Sequence, residues 1–494
     1  MELHSDRRRS ERKVTNISVN YRIGNTQITS YTYDLSRSGM FLETEFLVDE
    51  EDIFPLTFSL SNNKTPFTGF GRVVYQHKYK DEPRQIKSRG MGMELLGSSG
   101  KDEDLITRYL SNIPSVKSPD KLEATKVMTR RELGQFIELP FSLYRDNPYW
   151  IPPLKKEMQT ILTEENPFLK HGEMDLFLVK DQGRVVGRIG AIIDHDFISL
   201  YKEKVGYFGF FECIPDLNVA KKLFETANHN LMAKGMEKIR GPLSPSLNDE
   251  ICFLAEGFDS SPNIMLPYNP LYYNNFARGY GMYKVKDFLS FWVNLQKDLP
   301  ENLITIVKNT EEKGVVLRKF DMKNFSRDVE ILRQLNNQSW LEAGHWGFVP
   351  ITAEEMNFIA EHFRKLADPD IIYIAEVSGK LAGYVLNIPN FFPGMKYLSG
   401  KMSPLGILRF LYYLRHLRNV RLLTFGVVKE FCGMNLGAAL LVKSILEMQK
   451  KGYDSMEYAW VLEDNYASIA IASKLGGRKF KKYRMYEYPL LHKS

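Results

Sequence analysis

Arg7-Arg8-Arg9-Ser10-Glu11-Arg12-Lys13 and Asp34-Leu35-Ser36-Arg37-Ser38-Gly39 flank the first two strand-like runs of the chain. The first stretch is a compact group of guanidiniums, which can grip a phosphate bidentately or stack on a planar base. The second is a polar turn in which a carboxylate and a hydroxyl accompany a glycine that lets the backbone turn tightly beside a ligand. Together they predict a ligand site on a small β domain.

Short runs of alternating apolar residues surround these stretches and predict a small β-barrel. Residues 1–113 hold 16 Lys or Arg and 16 Asp or Glu, so the arginine group is a local feature of a neutral domain. Taken alone, an arginine run is as often a solvated tail or a nucleic-acid arm. A general polyanion binder would be basic throughout. The predicted strands are 17–23, 27–33, 40–44, 54–60, 70–77 and 90–96.

The order of the two stretches resembles the PilZ domain, which binds the bacterial second messenger cyclic di-GMP. Arg8 and Arg12 fit an Arg-x-x-x-Arg pattern, and the later turn fits Asp/Asn-x-Ser-x-x-Gly. The resemblance implies that guanidiniums hold phosphate or guanine and that the Asp carboxylate accepts from guanine N–H groups. The implied cyclic di-GMP-binding residues are Arg7, Arg8, Arg9, Arg12, Asp34, Ser36 and Gly39.

The composition is that of a soluble protein with several domains. The chain has 494 residues, which suggests roughly three domains, with 44% hydrophobic and 26% charged residues. No apolar run approaches the ~18 residues of a membrane span, and the polar N-terminus is no signal peptide. We therefore expect a cytoplasmic protein. Cys213, Cys252 and Cys432 are far apart in sequence, so we expect reduced thiols and no metal site.

The formal charge of +6 is unevenly distributed along the chain. Residues 400–494 hold 16 Lys or Arg and 7 Asp or Glu, so residues 114–399 carry −3 by subtraction. A cationic last quarter suits a polyphosphate cofactor or an anionic membrane surface, although scattered solvated lysines give the same count. In residues 404–421, arginines scatter among leucines and tyrosines. We expect a helix packed over an acyl pocket there, with peripheral contact at the inner face of a membrane as the alternative.

A linker and an internal repeat follow the first domain. Residues 114–121 contain two prolines and few large apolar residues. Beyond them, the hairpin-like run at Gly183 recurs at Gly379, and the glycine turn at Gly281 recurs at Gly476. Each half is predicted to run hairpin, strand, helix, strand, helix, glycine turn, strand. A tandem duplication of one α/β domain explains this order better than chance similarity of two hairpins, and we divide it into 122–294 and 295–494.

The repeated unit resembles the GNAT acyltransferase fold. After a predicted strand at 424–428, residues 432–438 occupy the place of the family's Arg/Gln-x-x-Gly-x-Gly/Ala loop, which holds a pyrophosphate on backbone N–H groups at a helix N-terminus. Cys432 replaces the Arg or Gln, and Asn435 replaces the central Gly. Asn tolerates left-handed φ better than most residues, so the turn can persist. The implied acyl-CoA-binding residues are Val427, Val428, Gly433, Met434, Asn435, Leu436, Gly437, Ala438 and Asn465.

A later motif of the same family begins at Asn465, which we expect to cap the next helix and to face the thioester. The family's Tyr, often the acid that protonates the leaving thiolate, is replaced by Ala472, which puts the usual acetyl transfer in doubt. The catalytic candidates are His345, Glu430, Glu463 and Asn465. A packed structural histidine is the alternative for His345, which lies between two tryptophans in sequence.

The first copy has no recognisable pyrophosphate loop and carries a polar loop after a predicted strand instead. Its acceptor-site candidates are Ser246, Asn248, Asp249 and Glu250, with a capping turn as the alternative. The stretches 210–212, 241–250, 256–259, 267–273 and 345–350 resemble a bacterial family of tandem GNAT-like proteins. Bacterial ceramide synthases, which N-acylate a long-chain base, also resemble proteins of this type.

Three classes of function remain open. The first is a cyclic di-GMP-regulated N-acyltransferase that uses acyl-CoA or acyl carrier protein. The second is a catalytically inactive GNAT pair that acts as a cyclic di-GMP effector or adaptor. A nucleic-acid binder comes last because the sequence has no recognition helix, aromatic RNA motif or zinc spacing, and we expect no nucleic-acid partner.

Overall fold

The N-terminal domain is a closed β-barrel. The structure is a computed structural model, and it describes residues 12–490 except 16, 25, 45, 61–65, 78–88, 98–99, 115 and 117. Strands β2 to β7 close into a six-stranded antiparallel barrel because β4 pairs with both β7 and β3, and β1 pairs with β3 along the edge opposite β4. The elements are β1 Lys13–Val14, β2 Ser18–Ile23, β3 Thr26–Ser36, β4 Gly39–Glu43, β5 Ile53–Phe58, β6 Phe67–His77, β7 Gly90–Leu96 and helix α1 Gly100–Asn112.

The alternation of apolar residues in the strands fills the barrel interior. Val19, Leu35 and Val73 are fully buried, and Ile106 of α1 joins the same core. At Gly92 a Cβ would lie 2.1 Å from the ring of Tyr75, so a larger residue at this strand position would displace that ring. The predicted barrel is confirmed.

Two α/β units follow, each with the predicted order of elements. The first contains β8 Glu123–Lys126, α2 Arg130–Leu143, α3 Lys155–Ile161, β9 Gly172–Asp181, β10 Arg184–Asp194, α4 His195–Tyr201, β11 Val205–Cys213, α5 Leu217–Ala233, β12 Lys238–Gly241, β13 Leu243–Ser244, β14 Glu250–Ile251, β15 Phe253–Glu256, α6 Tyr272–Tyr280 and β16 Tyr283–Asn294. The second contains α7 Glu301–Glu312, β17 Val315–Lys319, α8 Phe325–Glu342, α9 Ala353–Phe363, β18 Tyr373–Val377, β19 Lys380–Pro389, α10 Pro404–Arg415, β20 Asn419–Val427, α11 Leu436–Lys450, β21 Ser455–Leu462, α12 Tyr466–Lys474 and β22 Arg478–Pro489. The glycine turns fall at Gly281 and Gly476, both with positive φ.

The two units share one thirteen-stranded sheet because they exchange their last strands. Along the sheet the order is β17-β18-β19-β20-β21-β16-β22-β12-β11-β10-β9-β8, and β15 also pairs with β22. Strand β16, the last of the first unit, pairs with β21 and β22 of the second. Strand β22, the last of the second unit, pairs with β12 of the first. Continuous backbone hydrogen bonds between these strands therefore join the two units.

Buried ion pairs fix the side chains at this seam. Arg240 of β12 donates from Nε and Nη2 to Oε2 of Glu487 in β22, at 2.9 and 2.7 Å. Arg484 of β22 donates to both carboxylate oxygens of Asp287 in β16, at 2.7 and 2.8 Å. Loss of one partner of such a pair leaves an uncompensated buried charge, which costs ~3–5 kcal/mol. These pairs therefore specify which strands lie side by side.

Candidate functional site

The predicted cyclic di-GMP residues that the structure describes lie together on the barrel. Nη1 of Arg12 donates to Oδ1 of Asp34 at 2.6 Å. The hydroxyl of Ser36 donates to the Gly39 carbonyl at 3.0 Å, across the turn between β3 and β4. A Cβ at Gly39 would lie 2.4 Å from the Met93 carbonyl oxygen and 3.3 Å from Nη2 of Arg12, so a larger residue does not fit. The remaining predicted members, Arg7, Arg8 and Arg9, lie outside the described residues.

The segment that carries Arg12 also contacts the rest of the chain. In β1, Val14 pairs with Asp34, and its side chain packs against the core of the first α/β unit. Nζ of Lys13 donates to the carbonyl of Ile113, just after α1, at 3.2 Å. Three consecutive residues thus make three different contacts. Arg12 contacts the Asp34 carboxylate, Lys13 contacts the end of the barrel domain, and Val14 contacts the first α/β unit.

Two side-chain contacts join β3 and β4 to the first α/β unit. Nη2 of Arg278 in α6 lies 3.3 Å from Oε1 of Glu43, and both side chains are largely buried. The ring of Tyr31 packs edge-on against Phe258, with centroids 5.5 Å apart. Tyr31 and Glu43 face each other in the β3–β4 ladder, and Asp34 lies on the same strand. A shift of β3 at the ligand site would therefore reach the α/β interface.

A cavity of about 1390 Å³ lies in the second α/β unit. Its walls come from α8, β20, α11, β21 and α12, and they include Phe325, Leu332, Trp340 and Trp460. Val428 is buried beside it, and Met434 packs against the core, so neither contributes to the lining. The predicted acyl-CoA residues that line the cavity are Val427, Gly433, Asn435, Leu436, Gly437, Ala438 and Asn465.

The loop before α11 has the backbone geometry of an anion cradle. Gly433 has φ +95°, and Asn435, the N-cap of α11, has φ +60°, so Asn holds the left-handed position that the sequence predicts for it. The first hydrogen bond of the helix runs from Ala439 N to Asn435 O at 2.9 Å. The N–H groups before Ala439 have no acceptor within the helix, and the positive end of the helix dipole lies at these groups. Gly437 and Ala438, in the first turn of this helix, line the first cavity.

Asn465 caps α12, as the sequence predicts. Its Oδ1 accepts a hydrogen bond from Ser468 N at 3.0 Å, which occupies one of its acceptor sites, and its side chain lines the first cavity. Ala472, two turns later, is fully buried in the core. No hydroxyl stands at the position of the family's tyrosine.

The other catalytic candidates are dispersed. His345 lines the first cavity, and burial lowers its pKa, which favours the neutral ring. Glu430 is exposed and pairs with Lys380 at 3.1 Å. Glu463 accepts from Nζ of Lys284 at 2.7 Å. Neither glutamate is among the residues that line the two described cavities.

A second cavity of about 620 Å³ lies between the units. It is bounded by α2, α3, α9, α10 and the loop after β13, and most of its walls are apolar. All four predicted acceptor residues line it: Ser246, Asn248, Asp249 and Glu250. Six residues line both cavities: Asn248, Asp249, Met265, Ile351, Ile359 and Phe363. The cavities therefore adjoin, and Asp249 is the charged group at their boundary.

Asp249 has an unusual electrostatic environment. Its Oδ2 accepts from the hydroxyl and N–H of Ser246, at 2.6 and 3.2 Å. Burial, reinforced by Glu355, raises the pKa of Asp249 to about 7 against these hydrogen bonds. Burial, reinforced by Asp249, also raises the pKa of Glu250 to about 7. Two adjacent carboxyls of near-neutral pKa can take up a proton from an incoming ammonium.

Sequence reasoning missed a buried polar group at the base of the first cavity. Arg421 of β20 and Glu457 of β21 are neighbours across the parallel strand pair, and both are fully buried. Among the described residues, Nε and Nη1 of Arg421 and Oε1 of Glu457 have no hydrogen-bond partner. Burial lowers the pKa of Arg421 to about 10 and that of nearby Lys481 to about 8. The presence of a charged residue inside each of two otherwise apolar strands is the sequence feature that could have predicted this buried pair.

The described residues contain no cluster of metal-ligating side chains, and their cysteines are free. None of their His, Cys, Asp and Glu side chains form a group of three or more that could hold a metal ion. Cys213 and Cys252 are buried free thiols, and Cys432 is an exposed one in the loop before α11. No helix in the described ranges is long and apolar enough to cross a membrane.

Two protein families match separate parts of the chain. The PilZ domain matches residues 6–112, which contain the barrel. The Acetyltransferase (GNAT) family matches residues 331–476, which contain most of the residues that line the first cavity. The chain thus combines a cyclic di-GMP receptor fold with a GNAT acyltransferase fold.

Among solved structures, a tandem GNAT protein from the clavulanic acid biosynthesis pathway covers 76% of this chain and 100% of its own length, with 15% identity and a TM-score of 0.45. The PilZ domain of YcgR from Escherichia coli with c-di-GMP covers 21% of this chain and 88% of its own, with 17% identity and a TM-score of 0.17.

Two curated relatives match about three quarters of the chain at higher identity. A bacterial ceramide synthase of Caulobacter vibrioides is 34% identical over 377 residues, which are 75% of this chain and 98% of that protein. Protein YghO of Escherichia coli is 31% identical over 366 residues, 73% of this chain and 93% of that protein. The chain therefore belongs to the family that contains these two proteins, and it combines a PilZ domain with a GNAT-like α/β region.

Proposed function

We propose that the protein is a cyclic di-GMP-binding N-acyltransferase that moves an acyl group from acyl-CoA or acyl carrier protein to an amine, with a long-chain base as the acceptor. The observation that carries the proposal is the pair of adjoining cavities with Asp249 at their boundary. A thioester in the first cavity and an amine in the second would meet at a carboxyl of near-neutral pKa. The ceramide synthase relative supports the choice of a lipid acceptor.

The donor half of the proposal rests on the loop before α11. Backbone N–H groups of residues 436–438 lie at a helix N-terminus, where the helix dipole favours a pyrophosphate. Apolar residues such as Phe288, Leu332 and Phe363 extend the first cavity away from this loop and suit an acyl chain.

The acceptor half rests on the second cavity. Its apolar walls suit a hydrocarbon chain, and the carboxyls of Asp249 and Glu250 suit an ammonium head group. Asp249 would take a proton from the ammonium, so that the free amine nitrogen attacks the thioester carbonyl carbon. The C–N bond forms, the C–S bond breaks, and the thiolate leaves with the proton that the attacking nitrogen loses. Amine activation by the acceptor loop is consistent with the absence of a tyrosine acid at Ala472.

The alternative function is a catalytically inactive GNAT pair that serves as a cyclic di-GMP effector. Two departures from the family pattern favour it, Cys432 in the loop and Ala472 in the last helix. Amide formation from acyl-CoA and a long-chain amine distinguishes the two functions. Binding of both ligands without turnover would support the effector.

We also propose that cyclic di-GMP controls the acyltransferase half. Arg12 and Val14 are two residues apart, yet one contacts the ligand-site carboxylate and the other contacts the first α/β unit. Engagement of Arg12 by the messenger would change its contact with Asp34 and reposition β1. The proposed acyltransferase activity also places the protein at the inner face of a membrane, where its lipid acceptor would be found.

Asp249→Asn tests the general base. In the wild-type protein we expect kcat/KM to rise with pH and to level off above about 7, because the base acts when it is deprotonated. The substitution should lower kcat/KM by about 10²–10⁴-fold and abolish this rise. Asp298→Asn, at an exposed aspartate, should change neither. A wild-type-like pH profile of Asp249→Asn would assign the base elsewhere.

Ala438→Asp tests the donor site. A carboxylate in the first turn of α11 would repel the pyrophosphate, so acyl-CoA affinity measured by calorimetry should fall by about tenfold or more. Ala438→Ser, without charge, and Ser473→Asp, with the same charge on exposed α12, should bind as the wild type does. Equal affinity of Ala438→Asp and the wild type would move the pyrophosphate away from α11.

Arg12→Ala tests the messenger site. Removal of a charge-assisted hydrogen bond costs ~1.5–3 kcal/mol, so cyclic di-GMP affinity should fall by about one to two decades. Arg22→Ala, an exposed arginine on β2 of the same barrel, is the matched control and should bind normally. Unchanged titration of Arg12→Ala would remove this residue from the site.

Reciprocal binding tests the control mechanism. If the messenger changes acyl-CoA affinity, acyl-CoA must change messenger affinity by the same factor, about 5–150-fold for a typical coupling. Arg278→Met removes the ion pair with Glu43 and should reduce that factor while each ligand still binds alone. Four affinities without mutual effect, together with unchanged turnover, would mean that the barrel serves targeting or recruitment only.

A further inference from the structure

Helix α10 presents a fixed row of apolar side chains to solvent. Leu405, Leu408 and Tyr412 are 59%, 65% and 68% exposed, and their spacing of three and four residues places them on one face. Leu411 and the preceding Met402 extend the row, at 50% and 66% exposure. A contiguous row of exposed apolar side chains marks an interaction surface in a soluble protein.

The opposite face of α10 is packed, so the exposure does not come from a loosely attached helix. Phe410 and Leu414 pack against the apolar cluster around Phe391. Gly394 lies against Tyr413, and a Cβ at that glycine would be 2.4 Å from the Tyr413 ring. The helix is therefore apolar on both faces, one buried and one presented outward.

The charge around the row selects an anionic partner. Residues 377–429 contain no Asp or Glu and eight Lys or Arg. Lys401, Arg409 and Arg415 are exposed, and none forms an ion pair within the described part of the chain. A second copy of the same surface would bring these cations together, which disfavours self-association. An anionic lipid surface would take both the apolar row and the cations.

The row also lies where the second cavity reaches the surface. Met402 and Leu411 are at least half exposed, and both line that cavity together with Ile407 and Phe410. An apolar chain could pass between the cavity and a bilayer that covers α10 without crossing bulk water.

We propose that Met402 and α10 form an in-plane docking surface for anionic bilayers, with Leu405, Leu408, Leu411 and Tyr412 inserted and Lys401, Arg409 and Arg415 on the lipid head groups. The docked surface places the opening of the second cavity against the membrane. This is an interaction of the surface itself and holds whether or not acyl transfer takes place.

Flotation with lipid vesicles tests the proposal. The intact protein is mixed with phosphatidylcholine vesicles that contain or lack phosphatidylglycerol, without acyl donor or acceptor. We expect flotation with the anionic vesicles only, weakened by salt. Leu405→Ser/Leu408→Ser/Tyr412→Ser should reduce partitioning by about tenfold or more, and Arg409→Gln/Arg415→Gln should remove the preference for phosphatidylglycerol.

Ile304→Ser/Val316→Ser provides the matched control, because these apolar residues are exposed on α7 and β17 and should not affect flotation. Circular dichroism and cyclic di-GMP titration confirm that each variant is folded. The proposal is overturned if the wild type does not float, if the triple variant floats equally well, or if the triple variant alters only self-association measured by light scattering.

Discussion

The exchange of β16 and β22 between the two α/β units is the constraint on which the rest of the structure depends. The final strand of each unit pairs with strands of the other, so the shared sheet is complete only when both units are present. Arg240, Glu487, Asp287 and Arg484 make the exchange specific with buried, directional contacts. Because the sheet is continuous, the two cavities have a fixed relation across the seam. A reaction that needs a donor in one unit and an acceptor in the other requires this rigidity.

Short elements attach the barrel to the two α/β units. Strand β1 has two residues, yet it pairs with the strand that carries Asp34 and packs against the α/β core through Val14. Glu43 and Tyr31 add contacts from the neighbouring ladder. A ligand that recruits the arginine before β1 acts directly on the attachment. Packed strands connect the Arg12–Asp34 pair with the α/β unit that Val14 contacts.

Much of the fold could be predicted from sequence because its signals are local. Glycine turns after helices give the order of elements in each half, and a left-handed Asn435 and a capping Asn465 follow from the conformational preference and hydrogen-bonding groups of Asn. The strand exchange was not predictable in this way, since β16 and β22 follow similar glycine turns and either pairing satisfies their apolar pattern. The same holds for Arg421 and Glu457, which are brought together only by the register of two parallel strands. The barrel motif placed Arg12, Asp34, Ser36 and Gly39 together because they flank neighbouring strands.

The position of β22 has a consequence for biosynthesis. It is the last strand of the sheet in chain order, yet it lies near the middle, between β12 and β16. While a ribosome is still producing the second unit, β12 of the first has an open edge, and its partner does not yet exist. Nascent chains with such unpaired edges are prone to misassociation. The barrel can fold as soon as it emerges from the ribosome. The shared sheet of the two α/β units cannot be completed until nearly all of its chain has been made, so dependence on chaperones should be greatest in that interval.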